Sequence, residues 1–240
     1  MSGDGTYGQF CPVAKAAEIL ATRWTPLILR EMICGSSRFN EIHRGVPLMP
    51  RALLSKRLKE LQAAGVVERR PPDGTSNAGY RLTPAGEELR PIIISMGVWG
   101  QRWVESAADG PDWDAGVLMW DMRRRIDTGL LGDDRTVLQF QYRDAPDEMR
   151  LWWLLIEAGA VDLCVSEPGF DVDLYVLTDV RTMARVWIGK DSLARALDEE
   201  DIVLHGDSEI CRSFSQMLQL SPIVEASGQP PRLAGAATER

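Results

Sequence analysis

The order of apolar and polar positions divides the chain into a helical first part and a strand-rich second part. Over Cys11–Thr22, Val13, Ala16, Ala17, Leu20 and Ala21 recur at helical spacing and predict a first helix entered through Pro12. Thr25-Pro26 reads as a hydroxyl cap followed by proline at the first helical position. The second helix then carries Leu27, Ile28, Leu29, Met32 and Ile33 up to Gly35. A short third helix, Arg38–Arg44, presents Phe39 and Ile42, and Gly45-Val46-Pro47 reads as the turn that ends it. From Pro50, Leu54, Leu58 and Leu61 at i, i+4 and i+7 predict a fourth helix with one apolar stripe, closed by Gly65. Two short strands, Val66–Arg70 and Gly79–Thr83, flank a loop of turn formers. Thr83-Pro84 caps a last helix, along which Leu89, Ile92, Met96, Trp99 and Trp103 recur at three and four, a seam suited to a second helix. Pro91 should kink that helix or split off its first turn.

Beyond a short polar stretch at Ser106–Asp112 the period changes. Trp113–Ile126 predicts one more helix; Thr136–Tyr142, Leu151–Ile156, Val161–Val165 and Val172–Leu177 then predict a meander of mostly antiparallel strands. Asp179 caps a helix through Met183 and Trp187, and Ser192–Leu197 is a second short one. Ile202–His205 is a fifth strand, Ser208–Leu220 a closing helix, and from Pro222 the chain reads as a tail. The expected class is α+β, with a helical domain at 1–106, a linker at 107–113, a second domain at 114–222 and a flexible tail at 223–240.

With 45% hydrophobic and 26% charged residues the composition is that of a globular chain and excludes a disordered one. No apolar run approaches the roughly 18 residues of a membrane span, and no secretory leader is visible at the start, so a cytoplasmic protein without a membrane partner is expected. Cys11, Cys34, Cys164 and Cys211 lie far apart with no C-x-x-C pair, and His43 and His205 are the two histidines. That leaves little for a clustered zinc site or a Cys-His or Ser-His-Asp unit, so neither metal, cofactor nor catalytic residues are expected. Gly3-Asp4-Gly5-Thr6-Tyr7-Gly8 spells a dinucleotide fingerprint, but no strand can precede it, so it reads as a loose N-terminal tail.

The net charge of −8 hides a split. Up to Ser106 there are 14 basic and 10 acidic residues, leaving 13 basic and 25 acidic for the remainder; Arg23 to Arg81 alone holds 11 basic and 5 acidic. The first part therefore carries the electrostatic footprint of a nucleic-acid binder, which the whole-chain balance conceals. Helix, helix, helix–turn–helix, hairpin, helix is the order of a winged helix. On its fourth helix Arg51, Ala52, Ser55, Lys56 and Lys59 lie away from the leucines, where they would meet base edges in a major groove. Arg57, beside Leu58, suits an ion pair within the protein instead. Arg38 and Arg44 on the preceding helix would lie near phosphates, and Arg69, Arg70, Asn77 and Arg81 about the hairpin would track the neighbouring backbone.

Cys11-Pro12, Arg23-Trp24-Thr25-Pro26-Leu27-Ile28-Leu29, Arg38-Phe39-Asn40-Glu41-Ile42, Leu54-Ser55-Lys56-Arg57-Leu58-Lys59-Glu60-Leu61 and Tyr80-Arg81-Leu82-Thr83-Pro84-Ala85-Gly86 resemble the HxlR family of bacterial winged-helix regulators, over about residues 8–105. The resemblance implies a homodimer on double-stranded operator DNA. Where that family has a serine cap on the recognition helix, this chain has Leu48-Met49-Pro50-Arg51. Members of the family use a cysteine near the N-terminus as a redox or electrophile sensor, a role that would fall to Cys11 with Lys15 one turn on. Leu118-Met119-Trp120-Asp121, Val172-Asp173-Leu174-Tyr175, Leu177-Thr178-Asp179, Val186-Trp187-Ile188-Gly189 and Leu204-His205-Gly206-Asp207 resemble a sterol-carrier-protein-like domain over about 114–222. That resemblance implies an α/β sandwich able to enclose an apolar tunnel, where Trp120, Trp152, Trp153 and Trp187 would line a site for a hydrophobic effector or simply fill a core. The reading is a homodimeric DNA-binding transcription regulator paired through Leu89–Trp103 and not an enzyme. The alternatives are a redox sensor acting through Cys11 with a structural second domain, a lipid carrier, and a sequence-blind nucleoid binder.

Overall fold

The computed structural model describes residues 6–72, 78–104, 113–132 and 134–227. The chain forms two compact units, Met1–Gly100 and Gln101–Arg240, each with its own core. The division falls six residues earlier than the expected boundary, inside the last helix of the first part. Most of the expected linker lies outside the described residues.

In the first unit α1 (Pro12–Leu20) leads to α2 (Thr25–Ile33), α3 (Phe39–Gly45) and α4 (Arg51–Ala63). An antiparallel hairpin, β1 (Val67–Arg70) with β2 (Gly79–Leu82), follows, then α5 (Pro84–Glu87) and α6 (Arg90–Trp103). This is a winged helix. Ile28, Leu29 and Met32 of α2, Ile42 of α3 and Leu54, Leu58 and Leu61 of α4 form its core with Val66, Val67 and Ile93. Pro91 divides the last helix into α5 and α6, since proline has no N–H for the ladder and is tolerated only near a helix start.

Thr25 does not cap α2. Trp24 stands at the N-cap in the left-handed region, φ 77°, and Thr25 is buried as the first helical residue. A non-glycine residue there carries backbone strain of about 1–2 kcal/mol, sustained because Trp24 packs on the core. Gly45 is the last residue of α3 rather than a turn residue, for a reason of space: a Cβ built on it would lie 1.9 Å from Glu31 Cδ. The N-terminal segment is not loose from Thr6 onward: Glu18 of α1 accepts from Thr6 Oγ1 at 2.8 Å and from the Tyr7 N–H at 2.9 Å. These contacts, with Lys15, hold the Glu18 carboxyl below its ordinary pKa.

The second unit begins with α7 (Ala115–Met122), which tightens into a 3-10 turn at Arg123–Arg125. A five-stranded sheet follows, built from β3 (Thr136–Tyr142), β4 (Leu151–Glu157), β5 (Ala160–Cys164), β6 (Leu174–Thr178) and β7 (Val203–Gly206) in the order β5-β4-β3-β6-β7. The expected meander holds for β3, β4 and β5 only. β6 crosses back to pair parallel with β3, Leu138 opposite Leu174, and β7 closes the far edge antiparallel. Leu138, Phe140, Tyr142, Trp152, Leu154, Ile156, Leu174 and Val176 point to one face, as period-two alternation requires. There they share a core with α7, α8 (Val180–Trp187), α9 (Leu193–Asp198) and α10 (Ser208–Met217). Asp179, Ser192 and Asp207 cap α8, α9 and α10. The expected tail begins as structure: α11 (Pro222–Ala226) is capped by the Ser221 side chain, and buried Val224 occupies the position a side chain on Gly189 would need.

Candidate nucleic-acid interface

Burial decides the orientation of α4. Leu54, Leu58 and Leu61 are buried against the first unit's core, so the opposite side carries Arg51, Ala52, Lys56 and Lys59 exposed to solvent and Ser55 half-buried. An α-helix with that division can seat on its domain and still enter a major groove about 12 Å wide. Lys56 lies 3.9 Å from Glu60 one turn on, and Arg57 pairs with the same carboxylate, as its position beside Leu58 suggests. Lys59 has no ion pair among the described residues.

Several contacts fix where α4 starts. Glu31, fully buried, accepts from Arg30 Nη2 at 2.7 Å and from Ser36 Oγ at 3.1 Å, and the same Arg30 nitrogen donates to the Gly45 carbonyl at 3.1 Å. This ties α2 to both ends of α3. Glu41 turns back to accept from the Ser37 and Arg38 N–H groups at 2.9 Å each. Burial raises its pKa, but those two bonds and the Arg38 charge outweigh it and hold the carboxyl below the ordinary value. Met49 is buried in the turn, its N–H on the Val46 carbonyl at 2.9 Å and its own carbonyl 3.0 Å from His43 Nε2. His43 stacks on Phe39, rings nearly parallel at 6.5 Å, and the Arg51 guanidinium lies 4.9 Å above Phe39. Arg51 Nη2 donates to Asn40 Oδ1 at 2.6 Å. The column His43–Phe39–Arg51 therefore holds the first side chain of α4 in place while leaving it exposed. Asn40 is the partner of Arg51 that sequence reasoning misses: it sits eleven positions away on another helix, and no periodicity relates the two.

The hairpin is anchored by main chain. The Tyr80 N–H donates to the Ser37 carbonyl at 2.7 Å, and a side chain on Gly79 would meet that oxygen at 2.9 Å. Arg69, Arg70 and Arg81 are exposed; Arg81 pairs with Glu68, its cross-strand neighbour, at 2.7 Å. Asn77 lies outside the described residues. Arg38 and Arg44 are exposed on α3, with Arg38 3.9 Å from Glu41.

Along α6, Leu89 just before it and Ile93 pack inward, whereas Ile92, Met96, Trp99 and Trp103 are 45%, 50%, 61% and 68% exposed. Ile92, Met96 and Trp99, with Pro91, Ser95 and Gly100, border a shallow apolar depression on the helix. At the other end of the unit, Cys11 is half-buried at the N-cap of α1, and the Lys15 ammonium is 3.1 Å from Glu18.

Trp120, Trp152, Trp153 and Trp187, expected to line one site, do not all share the second unit's core. Trp152 and Trp187 share the core beneath the sheet. Trp153, the next residue on β4, points to the other face by strand alternation, where its buried indole nitrogen has no hydrogen-bond partner among the described residues. Trp120 is buried under two guanidinium groups, Arg123 at 3.8 Å and Arg124 at 5.4 Å from its ring. Trp152 Nε1 donates to the Met149 carbonyl at 2.7 Å. No helix among the described residues is long and apolar enough to cross a membrane.

Residues 19–108 match the profile of the HxlR-like helix-turn-helix family. Among curated relatives, the HTH-type transcriptional regulator YvaP of Bacillus subtilis is 38% identical over 99 residues, which cover 40% of this chain and 92% of that one. YybR of the same organism is 34% identical over 96 residues, covering 38% and 74%. Among solved structures, the reduced form of the transcriptional regulator YodB from B. subtilis is 32% identical, covering 40% of this chain and 97% of that one at a TM-score of 0.36. The matches fall on the unit whose helix-turn-helix presents the basic face of α4, and the chain belongs to the HxlR-like helix-turn-helix family.

Proposed function

We propose that this protein is a sequence-specific transcription regulator that binds operator DNA as a homodimer. The observation that carries the reading is α4, whose exposed Arg51, Ala52, Lys56 and Lys59 stand opposite buried Leu54, Leu58 and Leu61 at the end of a rigidly held turn. In this reading Arg38, Arg44, Arg69, Arg70 and Arg81, with Asn77 beyond the described residues, meet phosphates, and α4 meets bases. Leu89, Ile92, Met96, Trp99 and Trp103 would make the dimer seam, which brings two copies of α4 about one DNA turn apart and calls for a palindromic operator. Selection of bound duplexes from a random library at near-physiological salt tests this. A two-fold symmetric motif is the expected result; salt-sensitive binding without a motif would refute specific recognition.

The second unit extends the reading as the sensor of a hydrophobic small molecule. Support for it is the resemblance to sterol-carrier-like domains and an apolar core between sheet and helices, in which Trp152 and Trp187 pack among other side chains. Trp153 lies on the opposite face of the sheet and Trp120, though buried, is outside this core cluster, so neither belongs to the same lining. A fatty acid that raises the melting temperature of the delipidated protein and weakens operator binding supports it; absence of both leaves the unit a scaffold. A second reading places the switch at Cys11. A relative, YodB, has been crystallised diamide-treated and quinone-bound. Here Lys15 is committed to Glu18 rather than to the thiol. Loss of operator binding on diamide treatment, absent in Cys11→Ser, is its test.

A further inference from the structure

We propose that Leu48 reads sequence: in each half-site its side chain packs on the C5-methyl group of a thymine, beside the base met by Arg51. The inference rests on the operator-binding reading above and assigns one of its specificity-determining contacts.

Leu48 is 82% exposed, more than any other described large apolar side chain except Phe10. A single exposed leucine is ordinary on a protein surface. This one differs in how firmly it is held outward. Its neighbour Met49 is buried, with its N–H on the Val46 carbonyl and its carbonyl against His43 Nε2. Pro47 and Pro50 fix φ on either side, and Val46 is buried as well. With Val46 and Met49 anchored inward on either side of Pro47-Leu48, the turn projects Leu48 into solvent. The position is also specific: it precedes α4 by three residues, in the turn that leads into the groove-entering end of a recognition helix.

The chemistry agrees with the place. Thymine is the base whose major-groove edge carries a methyl group, and apolar side chains are its natural contacts. Arg51, three residues on, is held by Asn40 and Phe39 with further guanidinium donors available to a guanine edge. Together they make an apolar and a cationic reader side by side at the head of α4. Leucine at a solvent-facing turn position also exposes apolar area that a polar residue would not, a cost that burial against DNA removes.

The test replaces each thymine of the selected motif in turn by uracil, which deletes only the C5-methyl, and measures affinity for the full-length protein, for Leu48→Ala and for Leu48→Met. Burial of one methyl corresponds to about a fourfold change in affinity. Expected is one thymine per half-site at which uracil weakens the wild type about fourfold, leaves Leu48→Ala unaffected, and still weakens Leu48→Met. A flat uracil scan for the wild type, or an equal loss in Leu48→Ala, overturns the proposal while leaving the regulator reading intact. If selection enriches no symmetric motif, the regulator reading fails and this assignment falls with it.

Discussion

Replacing Gly45 by alanine tests how tightly the helix-turn-helix is held, because the nearest atoms the added methyl meets all belong to Glu31. The Cβ would stand 1.9 Å from Glu31 Cδ and 2.2 Å and 2.4 Å from its two oxygens. A carboxylate at the end of a side chain ordinarily swings aside. Glu31 is fully buried, and its oxygens are held by Arg30 and Ser36. To admit the methyl, either the carboxylate gives up those bonds or α3 moves away from α2. The first route forfeits about 1.5–3 kcal/mol for a hydrogen bond to a charged group, and overpacking adds roughly 1–3 kcal/mol. A loss of about 3–5 kcal/mol is expected, against a total of about 5–15 kcal/mol for a domain. Urea unfolding followed by far-ultraviolet circular dichroism measures it, read on the first transition if the two units unfold separately. The partner experiment is the same change in a Glu31→Ala background, where the obstacle is gone and Gly45→Ala should cost less than about 1 kcal/mol. If Gly45→Ala costs under about 0.5 kcal/mol with Glu31 present, or the same amount with and without Glu31, the packing argument is wrong.

Three further outcomes follow from other contacts. Asn40→Ala should leave stability within about 0.5 kcal/mol of wild type, since the residue is exposed, yet free Arg51 and weaken discrimination at one base position of the motif; competition binding with single-base variants reads this. Trp99→Ala with Met96→Ala should lower the association constant without unfolding either unit, because both side chains are exposed; sedimentation across a concentration series would show a dimer unchanged if another surface pairs the chains. Glu41, whose folded pKa is depressed, contributes stability present above its unfolded value near 4.5 and lost as pH falls through the lower folded value. Stability should therefore fall more steeply below that pH in the wild type than in Glu41→Gln, and parallel curves would remove the N–H contacts of Ser37 and Arg38 as its cause.

What the sequence discloses is whatever depends on spacing along the chain. Leu54, Leu58 and Leu61 repeat within two turns, so both α4 and its solvent face are legible. The apolar run of Thr136–Tyr142 predicts β3 with its observed ends. Local signals mislead where a distant group intrudes. Thr25-Pro26 has the form of a cap, but core packing puts Thr25 inside and moves the cap to a left-handed Trp24. Gly45 has the form of a turn, but it is a glycine because Glu31 lies against it. Adjacent Trp152 and Trp153 suggest a joint lining until strand pairing sends them to opposite faces. At the candidate interface, the exposure of the basic residues of α4 could be read from the sequence; the Asn40–Arg51 bond could not, because it joins two helices whose crossing no local pattern encodes.

The return of β6 to the side of β3 also bears on the order in which the protein is made. Within the first unit the hairpin and successive helices meet near neighbours, and short loops close cheaply. In the second, β3 stands at the middle of the sheet, yet its parallel partner lies a further 36 positions on, at Leu174 opposite Leu138. The β3–β4–β5 part can pair as it emerges, but the sheet waits with one long side of β3 open until β6 has been synthesised. Such non-local pairing is slow and leaves an unpaired strand flank exposed in the interim. During synthesis the helix-turn-helix is therefore complete well before the second unit, and the nascent second unit, not the first, is the stage at which this chain is most exposed to strand-to-strand aggregation.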